Sequence, residues 1–183
     1  MSNIKLVSIY NRDWGKKLDN WVCGLIEKAS GSPIIHSQLQ IDDVLYELTY
    51  PQGAMKTLNY TFVPSEFSRC QNGIRDVTDL EKGAIIAWWE NEIANGTGYG
   101  LFKLFFFMLL AKTKPWWENK KYIPMSINKI WGDFCSAAVD NSMKFGSLIS
   151  ELSKDLDLIP RRSEEFSTPG ELPLATFWEP ISD

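Results

Sequence analysis

Two short runs, Ile35 to Ile41 and Val44 to Thr49, flank the dipeptide Asp42-Asp43. Both alternate and both are rich in β-branched or aromatic residues, the pattern of strands with two distinct faces. A two-residue connection predicts a hairpin, in which opposed residue numbers sum to 85, as 42 and 43 do. One face then carries Ser37, Leu39, Ile41, Val44, Tyr46 and Leu48. The other carries His36, Gln38, Gln40, Leu45, Glu47 and Thr49. A slip of one residue would exchange the faces, so the apolar set commits the hairpin to a core on one side. The polar face holds the only histidine of the chain. In this register Glu47 opposes Gln38 and is diagonal to His36, ~7–8 Å away at Cα and within reach of long side chains.

Other elements follow from the same logic. Ile4 to Tyr10 reads as a buried strand. Leu18, Trp21, Val22, Leu25, Ile26 and Ala29 fall on one face of an amphipathic helix, which Gly31 and Pro33 end. Gly73 to Val77 reads as a further strand. Thr78 and Glu81 form a T-x-x-E capping box, opening a helix that runs to about Asn95 and stops at Gly96. Asp133 is placed to cap a helix starting near Phe134 or Cys135 and continuing toward Phe145, with Gly146 as its stop. Leu148, Ile149, Leu152 and Leu156 mark another helical stripe. Thr168, Pro169 and Glu171 repeat the capping pattern. With no internal repeat or linker, residues 1–183 read as a single domain.

Composition removes several function classes. A net charge of −4 argues against a phosphate-backbone binder, so nucleic acid is not an expected partner. One histidine excludes multi-histidine metal or haem sites, and no metal or other cofactor is implied. The cysteines, Cys23, Cys70 and Cys135, are odd in number and widely spaced. That favours reduced thiols over a disulfide framework. Met1 to Tyr10 lacks the apolar core of a signal peptide. The expectation is a cytoplasmic or virion-associated protein. The most apolar stretch, Leu101 to Ala111, is 11 residues, against the ~20 that a spanning helix needs. It reads as a buried helix or, more sharply, as an apolar wall for an acyl chain or a membrane-surface contact.

Cys135 is the residue with chemistry to offer. At a helix start, unpaired backbone N–H groups and the helix dipole favour a thiolate. The same N–H groups, those of Cys135 and Ser136, can hold an oxyanion during acyl transfer. A cysteine nucleophile needs a base, and the chain has one histidine, His36, beside a carboxylate, Glu47, that can orient it. A small buried hydrophobe at 135 and a hydrogen-bonded structural histidine at 36 are the plainer alternatives.

The order of these parts is "LIEKASGSPIIHSQLQI", "VLYELT", a helix ending "NGTGYG", then "GDFCSAAV" and "FSTPGEL". It resembles the circularly permuted NlpC-type papain-like cysteine hydrolases, the branch that includes lecithin retinol acyltransferase-like proteins. In that branch the histidine precedes the cysteine, as His36 precedes Cys135. The resemblance implies an α+β, papain-like fold with an antiparallel sheet packed against helices. It implies Cys135 as nucleophile, His36 as base and Glu47 as the third polar residue. Tyr99 matches a tyrosine after the glycine turn that lines the substrate site, and Thr168, Pro169 and Leu172 match a closing segment. Ile35 stands where the family usually has serine, and Cys-Ser-Ala-Ala replaces Cys-Ser-Glu-Leu. The implied chemistry is acyl transfer through a thioester, with a peptide, peptidoglycan or lipid as substrate. Amide cleavage is the leading expectation. A lipid acyl hydrolase or acyltransferase, and an inactive binding or structural module of a bacteriophage or bacterial assembly, are the alternatives.

Overall fold

A computed structural model of the chain describes residues 2–10, 24, 27, 32–63, 69–100 and 135–149. In chain order these form β1 (Ser2–Tyr10), β2 (Ile34–Ile41), β3 (Val44–Thr49), β4 (Gly53–Thr57), β5 (Arg69–Val77), α1 (Asp79–Ala94) and α2 (Cys135–Ile149). The strands make one antiparallel sheet in the order β4-β3-β2-β1-β5. Sheet and helices together give the expected α+β class.

The hairpin has the predicted register: Leu39 pairs with Tyr46, Gln40 with Leu45 and Ile41 with Val44. Asp42 turns the chain at φ 53, a left-handed conformation that aspartate tolerates better than most residues. The apolar face enters the core as predicted. Leu39, Ile41, Tyr46 and Leu48 join Ile4 and Leu6 of β1, and both helices cover them with Ile85, Trp89, Ala138, Val139 and Met143. Tyr46 stacks on Trp89 with ring centroids 5.8 Å apart. The polar face is buried too: β2 has no exposed residue along its eight positions, and Val7 and Ile9 beside it on β1 are buried. Burial on both faces accounts for the near-continuous apolar run of β1.

Two stretches of sheet were not legible. β4 is five residues, GAMKT, with no apolar run or alternation to announce it. It is held from outside itself: Ala54 N–H donates to the Thr97 carbonyl at 2.8 Å, and Lys56 Nζ meets Glu90 at 2.6 Å. β5 begins at Arg69, four residues before the predicted Gly73, because its register on β1 shifts after Leu6 and steps past Asn72. A bulge hides the period of 2 on which a sequence reading relies.

Helix α1 starts after Thr78 and stops before Gly96, as predicted. Glu81 N–H donates to Thr78 Oγ1 at 3.1 Å, and the Glu81 carboxylate meets Arg75 at 2.5 Å. At the other end Gly96, with φ 62, closes a Schellman motif: Thr97 N–H reaches the Glu92 carbonyl and Gly96 N–H the Ile93 carbonyl, both at 3.0 Å.

Helix α2 corrects the expectation that Gly146 stops it. The helix continues to Ile149, so that residue belongs to α2 rather than to a new element. Cys135, Ala138, Val139, Ser142, Met143 and Gly146 are all buried, a single stripe at i, i+3, i+4, i+7, i+8 and i+11. Gly146 lies close against α1: a Cβ there would lie 2.5 Å from Ile85 Cγ1 and 2.9 Å from its Cδ1.

Of the predicted helix at 18–29, Gly24 and Glu27 are described, and both are helical. The rest of it, the apolar stretch 101–111, Asp133, the stripe beyond Ile149 and the closing segment 168–172 lie outside the described residues. Among the described residues, no helix is long and apolar enough to cross a membrane.

Gly146→Ala should lower stability. A glycine in mid-helix costs ~0.5–1 kcal/mol relative to alanine, but overpacking a filled core costs ~1–3 kcal/mol, and Ile85 is fully buried with a stiff side chain. A lower urea midpoint is the expected outcome, and the loss should shrink in an Ile85→Ala background, which removes both Cγ1 and Cδ1.

Candidate active site

His36 owes its place to a fault in the β1–β2 ladder. It pairs with Ile9, while the next β1 residue, Tyr10, pairs with Ile34, so the register steps past Ile35. Such irregularities re-aim side chains, and they recur beside functional sites. On the other side of β2, the β2–β3 ladder ends at Leu39–Tyr46, and beyond it β3 pairs with β4, Glu47 opposite Met55. At this end β2 and β3 are joined through side chains. His36 Nε2 lies 3.2 Å from Glu47 Oε2, and Gln38 Nε2 donates to the same oxygen at 2.5 Å. The predicted diagonal contact is therefore made, and the predicted Gln38–Glu47 opposition is realised by side chains.

Cys135 enters from the helical layer. It begins the described part of α2 and the buried stripe that seats the helix on the sheet. Its thiol is hydrogen-bonded to His36, and a thiolate there acts on the imidazole through its charge. Cysteine, histidine and glutamate are separated by 99 and 11 residues in sequence, 135 − 36 and 47 − 36, and meet at one place. Neither Cys70 nor Cys135 is in a disulfide.

Competing effects set the charge of this group. Burial, the largest, disfavours the imidazolium and pulls the His36 pKa down. The Cys135 thiolate and its hydrogen bond, followed by the hydrogen bond and charge of Glu47, pull it up and together prevail. The pKa is pushed from 6.5 up to about 10. Two acidic partners on one imidazole outweigh its desolvation, so the protonated ring persists through neutral pH.

The site is closed as well as charged. Cys135 is 1% exposed and His36 5%. Ser136 follows Cys135 in the first turn of the described part of α2. Tyr99, the predicted substrate-lining residue, packs partly on the core, and its ring meets Tyr50 edge-on at 6.4 Å. That contact ties the glycine turn to the end of β3. The sequence reading put Gln38 on the correct face, opposite Glu47, yet gave it no part in the site. The sum-to-85 register already held that signal.

Scanned against protein-family models, curated proteins and solved structures, the chain matches none of them.

A single histidine lets NMR read its titration without assignment. The native ring holds its proton from pH 6.5, where an unfolded histidine releases it, to about 10. His36's own contribution to stability is thus complete below 6.5 and lost as pH rises to about 10. A thiolate partner contributes with the opposite sign, so the imidazole signal isolates the effect better than a melting profile does. The expected midpoint is near 10 in wild type and clearly lower in Cys135→Ala, where burial acts against fewer partners. Equal midpoints would contradict the coupling.

Proposed function

We propose that this chain is a cysteine hydrolase of the permuted NlpC-type, papain-like kind, cleaving amide bonds of peptide or peptidoglycan substrates through a thioester. The observation that carries the reading is the charge-coupled contact of Cys135 with the chain's single histidine, itself held by Glu47. An imidazole has two nitrogens. With Nε2 given to Glu47, Nδ1 remains to serve Cys135. The attraction that keeps His36 protonated acts equally on its partner and favours the thiolate.

In this mechanism the Cys135 thiolate attacks the substrate carbonyl carbon. The carbonyl oxygen becomes an oxyanion, held by the N–H groups of Cys135 and Ser136 at the helix start. As the C–N bond breaks, His36 Nδ1 gives its proton to the departing nitrogen, leaving an amine and a thioester on Cys135. Water then attacks the thioester and passes a proton to the now neutral imidazole. The second tetrahedral intermediate collapses to a carboxylic acid, and the thiolate–imidazolium pair returns. Throughout, Glu47 keeps a proton on Nε2, so that Nδ1 is the nitrogen that trades protons. A lipid ester would follow the same steps with an alcohol as leaving group.

The closed state of the site supports a second reading. With Cys135 1% exposed, the same three residues suit an inactive binding or structural module that keeps a buried ion pair. Acylation separates the two. Incubation with p-nitrophenyl esters and peptide amides, followed by intact-mass and peptide mapping, is expected to show one acyl group on Cys135. None should appear in Cys135→Ala, and acylation should slow about 10²–10⁴-fold in His36→Ala, the ordinary contribution of a general base. No adduct from any ester or amide, in folded protein, would favour the structural module.

A further inference from the structure

We infer that Gln38 is a positioning residue for the Cys135–His36–Glu47 group, acting through the Glu47 carboxylate, a role that rests on the hydrolase reading above. Glu47 Oε2 receives two donors: Gln38 Nε2 at 2.5 Å and His36 Nε2 at 3.2 Å. The shorter contact belongs to the amide. A glutamate on a strand reaches its target through three rotatable bonds, and this one is 13% exposed at its side chain. The amide removes that freedom by fixing the oxygen that the imidazole uses.

Gln38 has no comparable structural reason to be polar. It is 1% exposed, and its β1 partner Val7 is fully buried. A leucine or methionine would suit such a position. Its Oε1 is buried without a hydrogen-bond partner, so the glutamine carries a desolvation cost that an apolar residue would avoid. The orientation is unambiguous, because an ionised carboxylate accepts and does not donate, and only the NH2 end of the amide can face it.

The chemistry explains the choice. An amide does not titrate, so it donates to Glu47 at every pH and at every stage of turnover. A donor on the carboxylate favours its ionised form in a buried setting. Proton transfer from His36 to Glu47 is thereby opposed, and the proton stays on Nε2. When His36 has given up its Nδ1 proton and is neutral, Gln38 still holds Oε2 in place. A charged donor at 38 would instead draw the carboxylate away from the imidazole.

A double-mutant cycle tests this: wild type, Gln38→Met, Glu47→Gln and the double variant. Methionine keeps the length of the side chain and cannot donate. Two readouts need no substrate: the NMR midpoint of the single histidine, and the iodoacetamide alkylation rate of Cys135 at pH 6.5. Gln38→Met is expected to lower the midpoint and slow alkylation about tenfold, the ratio that one pKa unit represents. In the Glu47→Gln background the same change should alter neither readout further. An equal loss in both backgrounds would overturn the inference, since a packing defect acts regardless of Glu47. So would an unchanged midpoint and rate in Gln38→Met alone. If Gln38→Met does not fold, Gln38→Asn, which retains the amide one methylene short, enters the cycle instead. Failure of hydrolysis leaves both readouts intact, so the hydrolase reading and the role of Gln38 fall separately.

Discussion

A central strand buried along its whole length, β2 carries four polar side chains, His36, Ser37, Gln38 and Gln40, and all but Ser37 find a partner. Unpartnered burial of a polar group is among the larger penalties in folding, and burial of a lone charge is larger still. Gln40 meets the demand with two bonds, to the Asp42 carbonyl and from Gln71, both at 3.0 Å. Gln38 and His36 converge on Glu47. His36 then reaches Cys135 at the helix end. The candidate site is thus the solution to a burial problem as well as a chemical arrangement. That is why its members are held by strands and a helix rather than by loops.

The two layers divide the work. The apolar face of the hairpin seats α1 and α2, and the stripe from Cys135 to Gly146 fixes where α2 begins relative to β2. Gly146 lets α2 approach Ile85 at the far end of that stripe. On the sheet, the step past Ile35 and the early end of the β2–β3 ladder free side chains to interact where backbone pairing stops. A short helix stripe and two ladder irregularities therefore bring together a cysteine and a histidine that lie 99 residues apart in the chain, 135 − 36.

Much of this was legible in the sequence, for definite reasons. The hairpin register followed from a period of 2 and a two-residue turn, and Leu39–Tyr46 confirms it. Helix α1 announced itself through Thr78 and Gly96, whose caps act locally. The Cys135–His36–Glu47 grouping followed from scarcity, since one histidine leaves one candidate base. What stayed hidden depends on tertiary context. β4 is strand because β3 pairs with it and Thr97 and Glu90 hold it in place. Gly146 looked like a helix stop because its lack of a side chain serves a neighbouring helix, which local pattern cannot show. The bulges at Ile35 and Asn72 break the alternation that would reveal them. Gln38 lay in plain view opposite Glu47, but its role emerges only when the shared oxygen is seen.

An activated Cys135–His36 couple is tested most directly by the pH profile of iodoacetamide alkylation at Cys135, with mass spectrometry locating the label, in wild type and His36→Ala. Site opening scales both profiles alike, so their shapes report the thiolate. The account predicts wild-type reactivity that persists well below ~8.5, the pKa of an ordinary cysteine, and a His36→Ala profile that collapses toward that value. Two profiles of the same shape, each rising only near 8.5, would contradict it and leave Cys135 a buried thiol beside a structural histidine.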